Sequence, residues 1–155
     1  MNDWIDELKQ QDDAARKERE RKQEWQLRCD RIIKDRALAL WQSILSRVRA
    51  DVVRLAEKFP DDDSKKLKFE ERPAMFMLTK GTYPTVCLQV CWQENSGTIQ
   101  LERFTRRDSN APGVTTNDLI RFALNAQDDV KMVFGRTDYL APEDLSRALI
   151  TSGIG

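Results

Sequence analysis

The sequence predicts an α+β fold, in which a long amphipathic N-terminal helix packs on an antiparallel sheet of four to five strands and a short C-terminal helix follows. Two periodicities support this prediction. Apolar residues recur at helical spacing from Ile33 to Phe59, and from Leu67 onward they mostly alternate with polar ones. One long helical segment followed by a run of strands is typical of the α+β class.

The first helix carries one apolar stripe between charged residues. Because no Gly or Pro precedes Pro60, and Asn2 or Asp3 is a suitable N-cap, residues 3–59 can form one helix of roughly 85 Å. The remaining chain is too small to cover such a rod. Three arrangements therefore stay open: the first third projects into solvent, it pairs with another chain, or the helix breaks near residues 10–13 and folds back. The stripe consists of Ile33, Ala37, Leu40, Trp41, Ile44, Leu45, Val48, Val52, Leu55, Ala56 and Phe59.

The chain divides into a charged helical extension with an apolar tip, residues 1–24, and a single α+β domain, residues 25–155. Lys9 to Glu24 offers almost nothing to bury and lacks a strict heptad of apolar residues, so a stable coiled coil there is disfavoured. Pairing of two chains through Trp25 to Val52 is the more plausible coiled-coil arrangement.

The strands begin after the polar turn that follows Pro60. Pro73 interrupts the first, and Asn95-Ser96-Gly97 provides a hairpin turn. For residues 118–125 a helix and a strand both fit; we favour a hairpin with residues 130–134. Pro142 is expected to start the last helix and Gly153 to end it.

One face of the clearest strand, residues 85–93, is uncharged. We expect a helix of the same chain to cover it, with a partner protein as the alternative, because exposed sheet faces usually carry charges. The face consists of Thr85, Cys87, Gln89, Cys91 and Gln93.

No sequence feature indicates catalysis or a cofactor. The chain has no histidine and no glycine-rich phosphate loop. Cys87 and Cys91 lie about 13 Å apart along one strand, too far to share a metal ion, and small apolar filling explains them better. We therefore predict a protein without enzymatic activity, cofactor or metal.

The composition favours a soluble cytoplasmic protein. An odd number of cysteines argues against a disulfide framework, the acidic N-terminus does not resemble a signal peptide, and no apolar stretch is long enough for a membrane helix. Net charge is zero, from 26 basic and 26 acidic residues, which disfavours nucleic-acid binding by charge alone. A local basic patch remains an alternative, formed by Arg103, Arg106, Arg107 and Arg121.

The extension begins with Trp4, Ile5 and Leu8, an apolar cluster ringed by acids, with no apolar neighbours after Leu8 to pack on. Such a cluster suits a helix that docks in the groove of another protein, although folding back onto the chain's own stripe would also bury it. The sequence thus predicts a self-associating interaction protein (an adaptor, chaperone or assembly subunit) that binds a protein partner through this helix. Nucleic-acid association through the arginines, with strongly salt-dependent retention, is the alternative.

Overall fold

The fold, given by a computed structural model, is described for residues 3–94 and 96–154. It is α+β, with a long N-terminal helix, one seven-stranded antiparallel sheet and a short C-terminal helix. The strands are ordered as they occur in the chain, so each is paired with its sequence neighbours. The elements are α1 (Trp4–Lys58), β1 (Leu67–Arg72), β2 (Met75–Lys80), β3 (Thr85–Gln93), β4 (Thr98–Arg106), β5 (Val114–Leu124), β6 (Val130–Phe134), β7 (Thr137–Tyr139) and α2 (Pro142–Ile154).

Helix α1 is a single unbroken helix of 55 residues, which removes the fold-back arrangement. The Asp3 carboxylate accepts a hydrogen bond from the backbone N–H of Ile5 and so caps its start; the alternative cap, Asn2, lies outside the described residues. At the other end the N–H of Phe59 donates to the carbonyl of Leu55. The helix is roughly 82 Å long, so only part of it can lie on the sheet.

The core lies between the two helices and one face of the sheet, here called the inner face. Buried residues of α1 follow the predicted stripe and meet buried strand residues that alternate along each strand. Trp41 stacks on Phe76 at 5.7 Å and on Trp92 at 6.1 Å between ring centroids. Helix α1 crosses the sheet, because Arg49 pairs with Glu71 of β1 while Arg36 donates to the backbone carbonyl of Asp128, beyond β5. Burial of this stripe is the main favourable contribution that α1 makes to folding.

Helix α2 is fixed to the rest of the core by polar contacts at both of its ends. Near its start, the buried Ser146 hydroxyl donates to the Asp51 carboxylate of α1 at 2.8 Å. At its end, Lys80 donates to the carbonyl of Ile154 at 3.0 Å and Arg103 to that of Ser152 at 3.1 Å. Cations at a helix C-terminus satisfy its free carbonyls and interact favourably with the helix dipole.

The strand count exceeds the four to five predicted, for two local reasons. Pro73 lies in the two-residue turn between β1 and β2, with Ala74 at φ 58°, so it separates two strands instead of interrupting one. The three-residue β7 is too short to leave a pattern in the sequence. The second hairpin is confirmed as β5 and β6.

The structure also bears on two further expectations, one about the β3–β4 turn and one about the end of α2. In the β3–β4 turn, Gly97 adopts the left-handed region at φ 60°, whereas Asn95 of the predicted turn lies outside the described residues. Gly153 does not end α2, which continues to Ile154. Instead, a Cβ at Gly153 would be in van der Waals contact with Leu67 and Leu78, so the glycine lies where α2 packs closely on the sheet.

The core position of Trp41 predicts that Trp41→Ala lowers the free energy of unfolding by about 3–5 kcal/mol, because it leaves a cavity between two aromatic rings. Leu38→Ala is the matched control: it lies on the same helix, is 52% exposed, and should change stability by less than about 0.5 kcal/mol. Urea unfolding followed by circular dichroism measures both. Equal losses would contradict this description of the core.

Candidate interaction surface

The N-terminal part of α1 projects beyond the rest of the molecule. Every residue from Asp3 to Arg28 is exposed except Asp13, which is half-buried. Contact with the sheet begins where Arg28 donates to the Asp128 carboxylate at 2.5 Å, in the turn between β5 and β6. We call residues 4–27 the arm and residues 28–154 the body. The arm extends roughly 36 Å from the body.

The arm is helical for two reasons. Its local sequence favours a helix, and the helical segment that follows it is held in place by packing within the body. Asp6 and Glu7 lie in the first turn, where negatively charged carboxylates interact favourably with the positive end of the helix dipole. Arg16 pairs with Asp13 at 3.4 Å along the helix. Since nucleation is the costly step of helix formation, a helix that extends from a packed segment avoids most of that cost.

The end of the arm carries the predicted apolar cluster, here called the tip. Trp4, Ile5 and Leu8 are 69%, 53% and 49% exposed. Trp4 and Leu8 lie one turn apart, with Ile5 beside Trp4, and in the described part of the chain no residue of the body covers them. A ridge of this kind can insert into an apolar groove on another molecule.

Trp25, at the start of the segment considered above for pairing of two chains, is also an exposed aromatic residue. It is 50% exposed, and the Arg28 guanidinium lies over its ring at 5.8 Å from the centroid. The stripe of α1 becomes buried only further along, at Ala37, Trp41, Ile44, Val48 and Val52. That part already packs on the chain's own sheet, so the buried stretch of the stripe is not available for pairing with another chain.

The structure does not bring the four predicted arginines together. Arg103 lies on the inner face, where it caps α2, whereas Arg106 lies on the opposite, outer face beside Phe104. Arg121 pairs with Thr98, at the other end of β4 and roughly 26 Å from Arg106 along the strand. Arg107 follows Arg106 into the loop. The nucleic-acid hypothesis therefore depends on Arg106 and Arg107 and stays a prediction.

The uncharged face of β3 belongs to the outer face of the sheet. The expectation that a helix of the same chain covers it is wrong, because both α-helices of the described residues pack on the inner face. Its cysteines are half-buried and free. Burial raises the pKa of the Cys91 thiol, so this group is largely protonated and a weak nucleophile near neutral pH. Within residues 3–94 and 96–154, no three Cys, Asp or Glu side chains lie together as a metal site would require.

Comparison with known proteins provides no further assignment: no family model, no curated protein and no solved structure matches the chain. Among the residues described, no helix is both long and apolar enough to cross a membrane.

Arg103 contacts α2 and is expected to contribute to stability, whereas Arg106 is exposed on the surface and is not. We expect Arg103→Ala to lower the free energy of unfolding by about 1.5–3 kcal/mol, because a charged hydrogen bond to the helix end is lost. Arg106→Ala, on the same strand but exposed, should change it by less than about 0.5 kcal/mol. Thermal unfolding of the two variants side by side provides the comparison, and a larger effect at Arg106 would contradict the assignment.

Proposed function

We propose that this protein is a non-enzymatic interaction module, such as an adaptor, chaperone or assembly subunit, whose arm binds a protein partner. One observation carries the proposal: α1 continues without a break from the body to the tip, where Trp4, Ile5 and Leu8 are about half exposed or more. Soluble proteins usually bury such clusters unless they bind something.

The binding mode that fits this geometry is insertion of a helix into an apolar groove. Trp4, Ile5 and Leu8 provide the apolar anchors at helical spacing, and Asp6 and Glu7 beside them favour a groove with a basic rim. The charged middle of the arm keeps the tip away from the body. The outer face of the sheet, uncovered and largely uncharged at its centre, is a second surface through which copies of the body can associate.

The exposure of the tip predicts that Trp4→Ala abolishes partner binding without affecting folding. We expect its thermal midpoint to stay within about 1 °C of the wild-type value, because no packing is lost. Differential scanning calorimetry measures this directly. A drop of several degrees would show that Trp4 belongs to a packed core and would contradict the proposal.

Binding itself is tested by placing a photo-crosslinking amino acid at Glu7, beside the tip, and at Glu20, in the middle of the arm. The proposal expects a protein crosslinked from Glu7 but not from Glu20. The crosslink should disappear with Trp4→Ala and persist with Gln10→Ala, a control at an exposed, uncharged position of the same arm. The captured protein must then bind the purified wild-type chain and not the Trp4→Ala variant.

A further inference from the structure

The arm, together with the residues that flank it, Asp3 and Arg28, divides into an acidic half and a basic half. The segment from residue 3 to residue 13 contains one base, Lys9, and five acids: Asp3, Asp6, Glu7, Asp12 and Asp13. From Ala14 to Arg28 the bases Arg16, Lys17, Arg19, Arg21, Lys22 and Arg28 exceed the acids Glu18, Glu20 and Glu24. An antiparallel second arm would therefore place each acidic half beside a basic half, and the two helix dipoles would also align favourably.

One line along the arm has the alternating four- and three-residue spacing of a coiled-coil seam. Its two ends are apolar or aromatic, and its middle is polar apart from one alanine. Its members are Trp4, Leu8, Gln11, Ala15, Glu18, Lys22, Trp25 and Cys29. Seven of these eight are exposed, and Cys29 is half-buried where the arm meets the body.

We propose that two copies of this chain associate through antiparallel pairing of their arms, so that the tip of each packs on Trp25 and Cys29 of the other. In this register Trp4 lies level with Cys29 and Leu8 with Trp25, which covers the tip and the exposed Trp25 together. The polar residues Gln11 and Lys22 share a layer, as do Ala15 and Glu18. This inference rests on the proposed function, because it uses the same tip and names a second copy as its partner.

Charges beside the seam select the antiparallel orientation. In the proposed register Asp12 faces Arg19 of the second copy, and Glu7 faces its Arg28. A parallel pair in register would instead stack Glu18 on Glu18 and Lys22 on Lys22, and would bring Glu7 near Asp12. The antiparallel arrangement also places the two bodies at opposite ends of a paired segment of about 38 Å.

The polar middle of the seam makes the association weak and concentration-dependent. Only the two layers at each end of the paired segment bury substantial apolar surface, and the central layers contain charged side chains that prefer water. We therefore expect monomers and dimers in exchange, not a permanent dimer.

Disulfide trapping in the full-length chain tests the register. The two variants are Gln11→Cys and Lys22→Cys. Their positions lie about 16 Å apart along one helix, so cysteines at the two positions could not form a disulfide within one chain. Each variant alone should give no covalent dimer through its new thiol under mild oxidation, whereas a mixture of the two should. Mass spectrometry of the joined peptides separates this disulfide from any formed by Cys29, Cys87 or Cys91. Covalent dimers of either variant alone through its new thiol would indicate parallel arms and overturn the proposal.

Charge reversal tests the selectivity. Asp12→Arg should raise the dimer dissociation constant at least about tenfold, because two symmetry-related attractions become repulsions. Arg19→Asp should do the same, and the double variant should restore most of the wild-type value. Sedimentation equilibrium at low salt provides the constants, and circular dichroism checks that helix content is unchanged. Failure of the double variant to recover would contradict the proposed pairing.

The outcomes also separate this inference from the proposed function. A wild-type chain that stays monomeric at all concentrations and gives no disulfide in the mixture would overturn the antiparallel dimer. If crosslinking at Glu7 then still captured another protein in a Trp4-dependent way, the interaction function would stand with a different partner. If Glu7 captures only a second copy of this chain, both proposals are supported together.

Discussion

The molecule is shaped by a mismatch of lengths between its first helix and its sheet. Seven strands spaced about 4.8 Å apart form a sheet roughly 29 Å wide, whereas α1 is roughly 82 Å long. The sheet can therefore support only part of the helix. The amino-acid composition follows this limit: apolar residues dominate the stripe where the sheet lies beneath it, and charged residues dominate the arm. The arm, a helical segment that extends beyond the sheet and carries a charged, solvated sequence, is thus part of the architecture.

Within the body, directional contacts complement the non-directional burial of the stripe. Stacking of Trp41 on aromatic residues of β2 and β3 fixes where α1 crosses the sheet. Asp51, which receives a hydrogen bond from Ser146 and pairs with Arg47, fixes α2 beside α1. Lys80 and Arg103 then fix the end of α2 over the sheet. Burial stabilises the two layers, while these contacts specify one arrangement of them.

Sequence periodicity predicted those features that depend on repetition over many residues. The stripe of α1, the alternation in β3 and the hairpin of β5 and β6 each repeat often enough to be recognised. The strand β7 was missed because three residues carry no period. The prediction that a helix covers the uncharged face of β3 was wrong. Alternation identifies the two faces of a strand but cannot state what packs on the uncharged one. The separation of Arg103 from Arg106, by contrast, follows from alternation, since residues three apart on a strand point to opposite faces.

The candidate surface was predictable in part, because a cluster such as Trp4, Ile5 and Leu8 stands out against a charged segment. What the sequence left open was whether the helix turned back, and that depends on tertiary contacts which periodicity does not encode. The exposure of Trp25 was likewise hidden, because its spacing matches the buried stripe further along. Where burial of that stripe begins depends on where α1 lies across the sheet, which the contacts of Trp41, Arg49 and Arg36 with the strands and their turns fix.

The unbroken helix also sets the angular relation between the two ends of the molecule. Because each residue of an α-helix turns the chain by about 100°, the direction in which Trp4 points is tied to that of Trp41 through the intervening turns. Lengthening the arm by one residue would swing the tip to another side while moving it outward by only about 1.5 Å. Lengthening it by seven would nearly restore the original direction. The arm is one continuous helix, so the number of its residues sets the direction of the tip as well as its distance from the body.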